Sequence, residues 1–313
     1  MTKKLISFVI PAYNEEDCVD QLHVALDELF AKLSKYDCEA IIVENGSHDT
    51  TYQKLLAIHA RDPRFKILKL ARNFMTDGGM TAGLRYAKGD AAILMCADLE
   101  DPPETVLEFV KKWEEGYLNV YGVIVRRQGP WLRRLNSRLF YALINILTGG
   151  VIPRAVSDFR LIDRKVIAAV NSMNERTRML RGIVAWSGFK SCGVKFNRQD
   201  RVGGSSKAHT MHVLKLALRG VLAFSLVPLR MATILGAFLS VGSFVTIVIL
   251  ALKFIFFGVP FPGFGSIICL TLLLFGFLFI LIGILSEYVG MIFEEVKARP
   301  NFIVEEEVGF GQH

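Results

Sequence analysis

The chain of 313 residues is 52% hydrophobic, with a mean hydropathy of +0.37, a formal net charge of +7 and a pI of about 9.1. That is too apolar for a simple soluble enzyme, and the basic charge comes without any nucleic-acid-binding motif, so the balance points to an anionic membrane surface and not to nucleic acid. Five cysteines (18, 38, 96, 192 and 269) are odd in number and lack metal-ligand spacing, which fits reduced thiols in a cytosolic compartment.

The first apolar run, Leu5 to Ile10, is strand-length and stops at Pro11, so the N-terminus reads as a strand rather than a signal peptide. A helical pattern follows through Leu22, Leu26, Leu29 and Phe30. Ala40 to Val43 repeats the strand theme with Asn45-Gly46-Ser47 as its turn. Phe65 to Leu70 comes next, then a glycine-rich segment from Gly78 to Gly83, then a fourth run from Ala91 to Met95. Strands alternating with helices at this spacing predict βαβ units, a mostly parallel sheet and a ligand site at the carboxyl ends of the strands. Pro11 to Glu15, Glu44 to Ser47, Arg72 to Asp77 and Asp98 to Asp101 all fall at such ends.

The fourth run ends in Asp98-Leu99-Glu100-Asp101-Pro102-Pro103, three carboxylates within four residues. Crowded carboxylates repel one another and are costly to desolvate, and a hard divalent cation offsets that cost. Mg²⁺ or Mn²⁺ typically binds one or two carboxylates together with substrate phosphates, so the knot suggests a metal–diphosphate ligand; a solvated turn capping a helix is the plainer alternative.

From Met231 the composition changes. Met231 to Leu252 and Ser266 to Leu285 carry no charge and are long enough to span ~30 Å as helices. Between them Gly258, Pro260, Pro262 and Gly263 mark a hairpin loop. Before them, residues 209–227 place His212, Lys215 and Arg219 on one helical face and Leu214, Leu218, Val221, Leu222 and Leu226 away from it. That pattern predicts a helix in the membrane interface, with an ordinary surface helix as the alternative. Lys215, Arg219, Arg230, Lys297 and Arg299 flank the outer ends of the hairpin while its loop has only Lys253, so both termini are expected in the cytoplasm. The expected organisation is a cytoplasmic α/β domain (1–208), an interfacial helix (209–229), a transmembrane hairpin (230–290, with spans at about 231–252 and 266–286) and a cytoplasmic tail (291–313).

Several stretches carry a resemblance: Ser7-Phe8-Val9-Ile10-Pro11-Ala12-Tyr13-Asn14-Glu15-Glu16, Glu44-Asn45-Gly46-Ser47, Arg72-Asn73-Phe74, Ala97 to Glu104, Ser157-Asp158-Phe159-Arg160-Leu161, Arg201 with Gly204, Ser206 and Lys207, and Ser286 to Gly290 leading to Glu294 to Pro300. In their order and spacing, with two spans at the end, the chain resembles the family 2 glycosyltransferases over nearly its whole length. More narrowly it is similar to the bacterial polyprenyl-phosphate glycosyltransferases, relatives of dolichol-phosphate mannose synthase. The resemblance implies a GT-A, Rossmann-like fold in the inner membrane and inverting, metal-dependent transfer of a sugar from a nucleotide diphosphate, uridine by family habit, to a polyprenyl phosphate. It implies that Pro11, Tyr13, Glu15, Glu44, Asn45 and Arg72 bind the donor and that Asp98 holds Mg²⁺ or Mn²⁺. It also implies that Asp158 serves catalysis, that Arg201, Ser206 and Lys207 meet the acceptor phosphate, and that the chain assembles as a homo-oligomer through its membrane helices.

Two positions depart from the family's pattern. Cys96 stands where the D-x-D motif has its first aspartate, and Asn45 where a base-reading aspartate is usual. A thiol is a poor ligand for a hard cation, and Asn45 keeps an acceptor but loses a charge. The alternatives left open are a transferase acting on another membrane lipid and a catalytically silent membrane scaffold of the same fold. For Asp158 the competing reading is an ion pair with Arg160 or Arg164; for Arg201 and Lys207 it is solvated surface charge.

Overall fold

The computed structural model describes residues 3–125, 156–176, 178–199, 227–257 and 263–311. Its organising feature is the two-residue alternation of strands buried on both faces. In β1 (Leu5–Ala12), Ile6, Phe8 and Ile10 join one apolar cluster and Val9 joins the other. In β2 (Asp37–Glu44) Ala40 and Ile42 take the first side and Ile41 and Val43 the second. β3 (Phe65–Leu70) and β4 (Ala91–Leu94) divide in the same way. Helices α1 (Val19–Lys32), α2 (Thr51–Arg61) and α4 (Thr105–Glu114) cover the first face. The second is covered by α3 (Met75–Tyr86), α5 (Arg164–Ser172) and α6 (Leu180–Trp186). The result is three layers, helix–sheet–helix.

With β5 (Asn119–Ile124), β6 (Val156–Asp163), β7 (Ser191–Phe196) and β8 (Val304–Val308), the sheet has eight strands in the order β7-β5-β6-β4-β1-β2-β3-β8. The central β4-β1-β2-β3 block is parallel, as the alternation of strands and helices predicts. β6 runs antiparallel to β4, pairing Leu94 with Arg160 and Ala91 with Asp163. The start of β6 therefore lies at the same rim as the end of β4.

The glycine-rich segment is helix α3, and its glycines are where the helix meets the sheet. A Cβ on Gly83 would stand 2.3 Å from Val9 Cγ1, and one on Gly79 2.9 Å from Pro11 Cβ. No larger residue permits this approach, which brings the first turn of α3 onto the ends of β1 and β2.

Helices α7 (Val227–Phe257) and α8 (Phe264–Lys297) run 31 and 34 residues, roughly 46 and 51 Å at 1.5 Å per residue. Both are long and apolar enough to cross a membrane, in windows that are 0% and 6% buried, so neither is the core helix of a globular domain. The spans foreseen at about 231–252 and 266–286 fall inside them. The interfacial helix expected at 209–229 lies, up to residue 226, outside the described residues.

The C-terminal segment holds an element the sequence analysis did not foresee. Ala298, in the left-handed conformation (φ 50°), caps α8, and the chain then returns as β8 along the free edge of β3. Ala71 N donates to Ile303 O at 3.0 Å, and Arg176 N donates to Glu295 Oε2 at 2.9 Å. Lys69 pairs with Glu305 at 3.1 Å. The end of the apolar hairpin is thus tied to the sheet domain by backbone bonds.

Candidate active site

The loops after β1, β2 and β3 are stitched into one rim. Asn14 N donates to Ser47 Oγ at 3.0 Å, His48 N to Asn14 Oδ1 at 2.9 Å, and Glu15 N to Thr51 Oγ1 at 2.9 Å. Asn45 is buried, and both ends of its amide are engaged: Oδ1 accepts from Phe74 N at 2.9 Å and Nδ2 donates to Met75 O at 3.0 Å. An aspartate could not make the second bond, because a carboxylate only accepts. The departure at 45 therefore has a structural use: it clamps the β2–α2 loop to the β3–α3 loop. Glu44, expected to bind the donor, turns into its own loop, where Oε1 accepts from Ser47 N at 2.5 Å. Gly46 (φ +71°) completes the junction, since a Cβ there would be 2.7 Å from the Arg72 carbonyl carbon.

Pro11 and Tyr13 lie on this rim, with the Tyr13 ring edge-on to His48 at 6.4 Å. Arg72 is exposed, lies over the Phe74 ring at 4.2 Å and has no carboxylate within ion-pair distance among the described residues. It is a cation held at the rim by an aromatic face. Strain gathers here: Asn14, Met75 and Leu99 all have positive φ (52°, 62° and 55°), unusual for non-glycine residues and most of all for leucine.

The acidic knot divides its labour. Arg198 reaches Glu100 at 3.0 Å and Asp101 at 3.3 Å, and Gln199 N donates to Glu100 O at 2.9 Å. A protein cation therefore offsets two of the three carboxylates that were expected to require a metal. Burial still dominates at Asp101, whose carboxyl is pushed up to about 6 against the opposing pull of Arg198. Asp98 is almost wholly buried and accepts from Glu100 N at 3.2 Å. It lies close enough to the α1 N-terminus to act, with Glu15, on Cys18, whose thiol is pushed up to about 11 chiefly by burial.

Asp158 enters from the antiparallel strand. Extending the β4/β6 register by two residues sets it opposite Cys96 and on the same face. Its partner is neither Arg160 nor Arg164, as the local alternatives had it, but Arg181 on α6, at 3.2 Å. Arg160 is buried and spends its guanidinium on the Ser157 and Asp158 carbonyls, while Arg164 binds those of Ala87 and Gly89. Burial pushes Arg160 down to about 10, with Asp158 opposing. Across the cluster Asp77 accepts from Leu180 N at 2.9 Å; burial first, and Asp158 second, push its carboxyl up. Arg198 was missed because nothing in Asn197-Arg198-Gln199 marks it, and Arg181 because it lies 23 residues from Asp158 on a different element.

The donor set bears on a metal directly. Among the described residues no group of three or more His, Cys, Asp or Glu could enclose an ion. Cys96 is held protonated by burial first and then by Asp98, Asp101 and Asp158. One carboxylate, Asp98, suits a hard cation that takes most of its ligands from a diphosphate and water, and does not suit a permanently caged metal. Arg201, Ser206 and Lys207, expected at the acceptor phosphate, lie outside the described residues.

Residues 7–170 match the family model described as glycosyl transferase family 2. An uncharacterized glycosyltransferase of Synechocystis sp. is 40% identical over 302 residues, covering 96% of this chain and 95% of that protein. The SfII prophage-derived bactoprenol glucosyl transferase of Shigella flexneri is 35% identical over 301 residues, covering 96% and 97%. The prophage bactoprenol glucosyl transferase homolog of Escherichia coli is 34% identical over 301 residues, covering 96% and 98%. Among solved structures, glucosyl-3-phosphoglycerate synthase of Mycobacterium tuberculosis, in complex with Mn²⁺, UDP-glucose and phosphoglyceric acid, aligns with a TM-score of 0.49 at 17% identity, over 70% of this chain and 78% of that one.

Proposed function

The chain belongs to glycosyl transferase family 2, and from that membership we propose that its sheet domain is of the GT-A class and that it transfers a sugar from a nucleotide diphosphate to a polyprenyl phosphate at a membrane surface. The observation that carries the proposal is that Asp98 and Asp158 both act on Cys96 at the end of β4, on the rim that also bears Glu15, Arg72 and the strand tying in α8. The names of the Shigella and Escherichia relatives, which specify bactoprenol and a glucosyl group, support a polyprenyl acceptor and a hexose. Uridine is the proposed base.

In the proposed reaction an acceptor phosphate oxygen attacks the anomeric carbon. The bond from that carbon to the diphosphate oxygen breaks, its electron pair leaves with the nucleoside diphosphate, and the configuration inverts. The acceptor is already ionised near neutral pH, so no general base is needed, and Asp158 with Arg181 serves to orient the acceptor or sugar. Pro11, Tyr13 and Glu15 border the donor, while Arg72 offers its guanidinium to the diphosphate. Asp98 would hold Mg²⁺ or Mn²⁺ together with the donor phosphates, and the bound ion neutralises charge on the leaving group.

The membrane setting is part of the proposal. Helices α7 and α8 form the multi-pass anchor in the inner membrane, with the sheet domain on the cytoplasmic side. Arg201, Ser206 and Lys207 are proposed for the acceptor headgroup, and self-assembly through the anchor is proposed as well. The test is incubation of the membrane-embedded protein with labelled nucleotide sugars and polyprenyl phosphate, followed by identification of the glycosylated lipid. Product that requires a divalent cation and is lost in Asp98→Ala is expected. No labelled lipid from any nucleotide sugar would overturn the proposal and favour the silent scaffold, whereas label on a diacylglycerol would reassign the acceptor.

A further inference from the structure

Away from the rim, a cavity of about 280 Å³ opens between α3, the segment after α5 and the chain leaving α8. Three arginines line it: Arg85 on α3, and Arg176 and Arg178 before α6. Among the described residues none of the three has a carboxylate within ion-pair distance of its guanidinium. The Arg178 guanidinium donates to Val170 O at 2.7 Å, but its Nε is buried without a partner. The Thr81 hydroxyl, on a residue only 4% exposed, also lines the cavity and lacks a partner. Burial lowers Arg178, and Arg85 lowers it further by like-charge repulsion; Glu175 and Asp77 oppose from beyond ion-pair distance.

Buried donors without acceptors and converging like charges are both costly, and one group cures both. We propose that this cavity binds a phosphate-bearing anion, held by Arg85, Arg176 and Arg178 with a hydrogen bond from Thr81. The space accommodates a phosphate group and several waters at about 30 Å³ each. Guanidinium forks suit phosphate oxygens, and the one carboxylate in contact, Glu295, accepts from the Arg176 backbone N–H at 2.9 Å and leaves the three guanidiniums without an ion pair among the described residues. Its third wall, Pro300 to Phe302, begins three residues after the end of α8 at Lys297. An anion bound there contacts the segment that carries the apolar hairpin into the sheet. The phosphate could belong to an anionic phospholipid or be free in solution, and the pocket chemistry is the same for both.

The test uses the full chain in detergent and in nanodiscs, wild type against Arg85→Glu/Arg176→Glu and, separately, Thr81→Val. Inorganic phosphate is titrated by calorimetry in detergent, and retained lipid is measured by native mass spectrometry from nanodiscs containing phosphatidylglycerol or only phosphatidylcholine. Binding of inorganic phosphate that falls at least tenfold in the double variant assigns a free-anion site. Selective retention of phosphatidylglycerol, lost in the double variant, assigns a lipid headgroup site. Thr81→Val, which removes one hydroxyl and no charge, is expected to weaken either by several-fold with an unchanged melting temperature. Wild type and double variant behaving alike in both arms, with both folded, would overturn the assignment.

Discussion

Replacing Gly46 by alanine tests the junction on which the donor side of the rim depends. Two costs add. The residue has φ +71°, and an L side chain in the left-handed region costs about 1–2 kcal/mol. The new Cβ would meet Arg72 C at 2.7 Å, Arg72 Cα at 2.8 Å and Asn73 N at 2.9 Å. All three are backbone atoms, so no flexible side chain can yield, and overpacking of this kind costs about 1–3 kcal/mol. The sum, about 2–5 kcal/mol, corresponds to a fall of roughly 4–20 °C in the melting temperature of a domain this size. Gly116 provides the control: its φ is +88°, but nothing lies within 4 Å of its Cβ position. Gly116→Ala should show the conformational cost alone. Thermal melting of both purified variants separates the terms, and titration with UDP reports whether moving the Arg72 loop weakens nucleotide binding, as expected for Gly46→Ala only. Equal drops in melting temperature with unchanged UDP affinity would refute the backbone contact between the two loops.

Asp98→Ala is expected to abolish sugar transfer in the membrane assay; wild-type turnover at saturating Mg²⁺ would contradict the metal assignment. Lys207→Ala should impair use of the lipid phosphate more than donor binding, and equal losses in both would argue against an acceptor role. Asp101 gives a pH signature. Burial holds its carboxyl at about 6 in the folded protein, above the ordinary aspartate value of 3.8, so the native state binds the extra proton and this group's contribution to stability falls as pH rises between those values. The loss is complete above about pH 6 and amounts to at most about 3 kcal/mol at 1.36 kcal/mol per unit. In EDTA, Asp101→Asn should remove that slope from urea midpoints measured between pH 4 and 6; a variant that keeps the wild-type slope would place the titration elsewhere.

How far the sequence reveals this arrangement depends on what each residue's partners are. β1 to β4 are legible because a strand buried on both faces must be apolar throughout, and their polar ends then mark the rim. α7 and α8 are legible for the same reason on a longer scale. β8 is not: Val304-Glu305-Glu306-Glu307-Val308 is an edge strand with charged, largely exposed side chains, and its strand character comes only from pairing with β3. The carboxylates of the site can be picked from their neighbours in sequence, but not the cations that hold them. Arg198 and Arg181 arrive from elements far along the chain, and local reading prefers Arg160 and Arg164, which the fold spends on backbone carbonyls. Asn45 reads as a loss of charge only until its second partner, Met75 O, is seen.

The placement of β8 has a mechanical consequence. The hairpin α7–α8 is inserted between β7 and β8, strands at opposite edges of one sheet. A hairpin joined to the domain by one flexible linker could tilt without disturbing the rim. Here α8 leaves its apolar stretch, meets Arg176 N through Glu295, and continues into a strand paired with β3 up to Leu70. Two residues beyond Leu70 stands Arg72, whose backbone abuts Gly46 and whose loop Asn45 clamps. A continuous run of hydrogen bonds, one of them to the Glu295 carboxylate, therefore connects the end of α8 to the loops assigned to the donor. Under the proposed function such a connection would set the height of the rim relative to the α7–α8 hairpin, because reacting atoms about 3 Å apart tolerate little play between the surface that holds the acceptor and the loops that hold the donor.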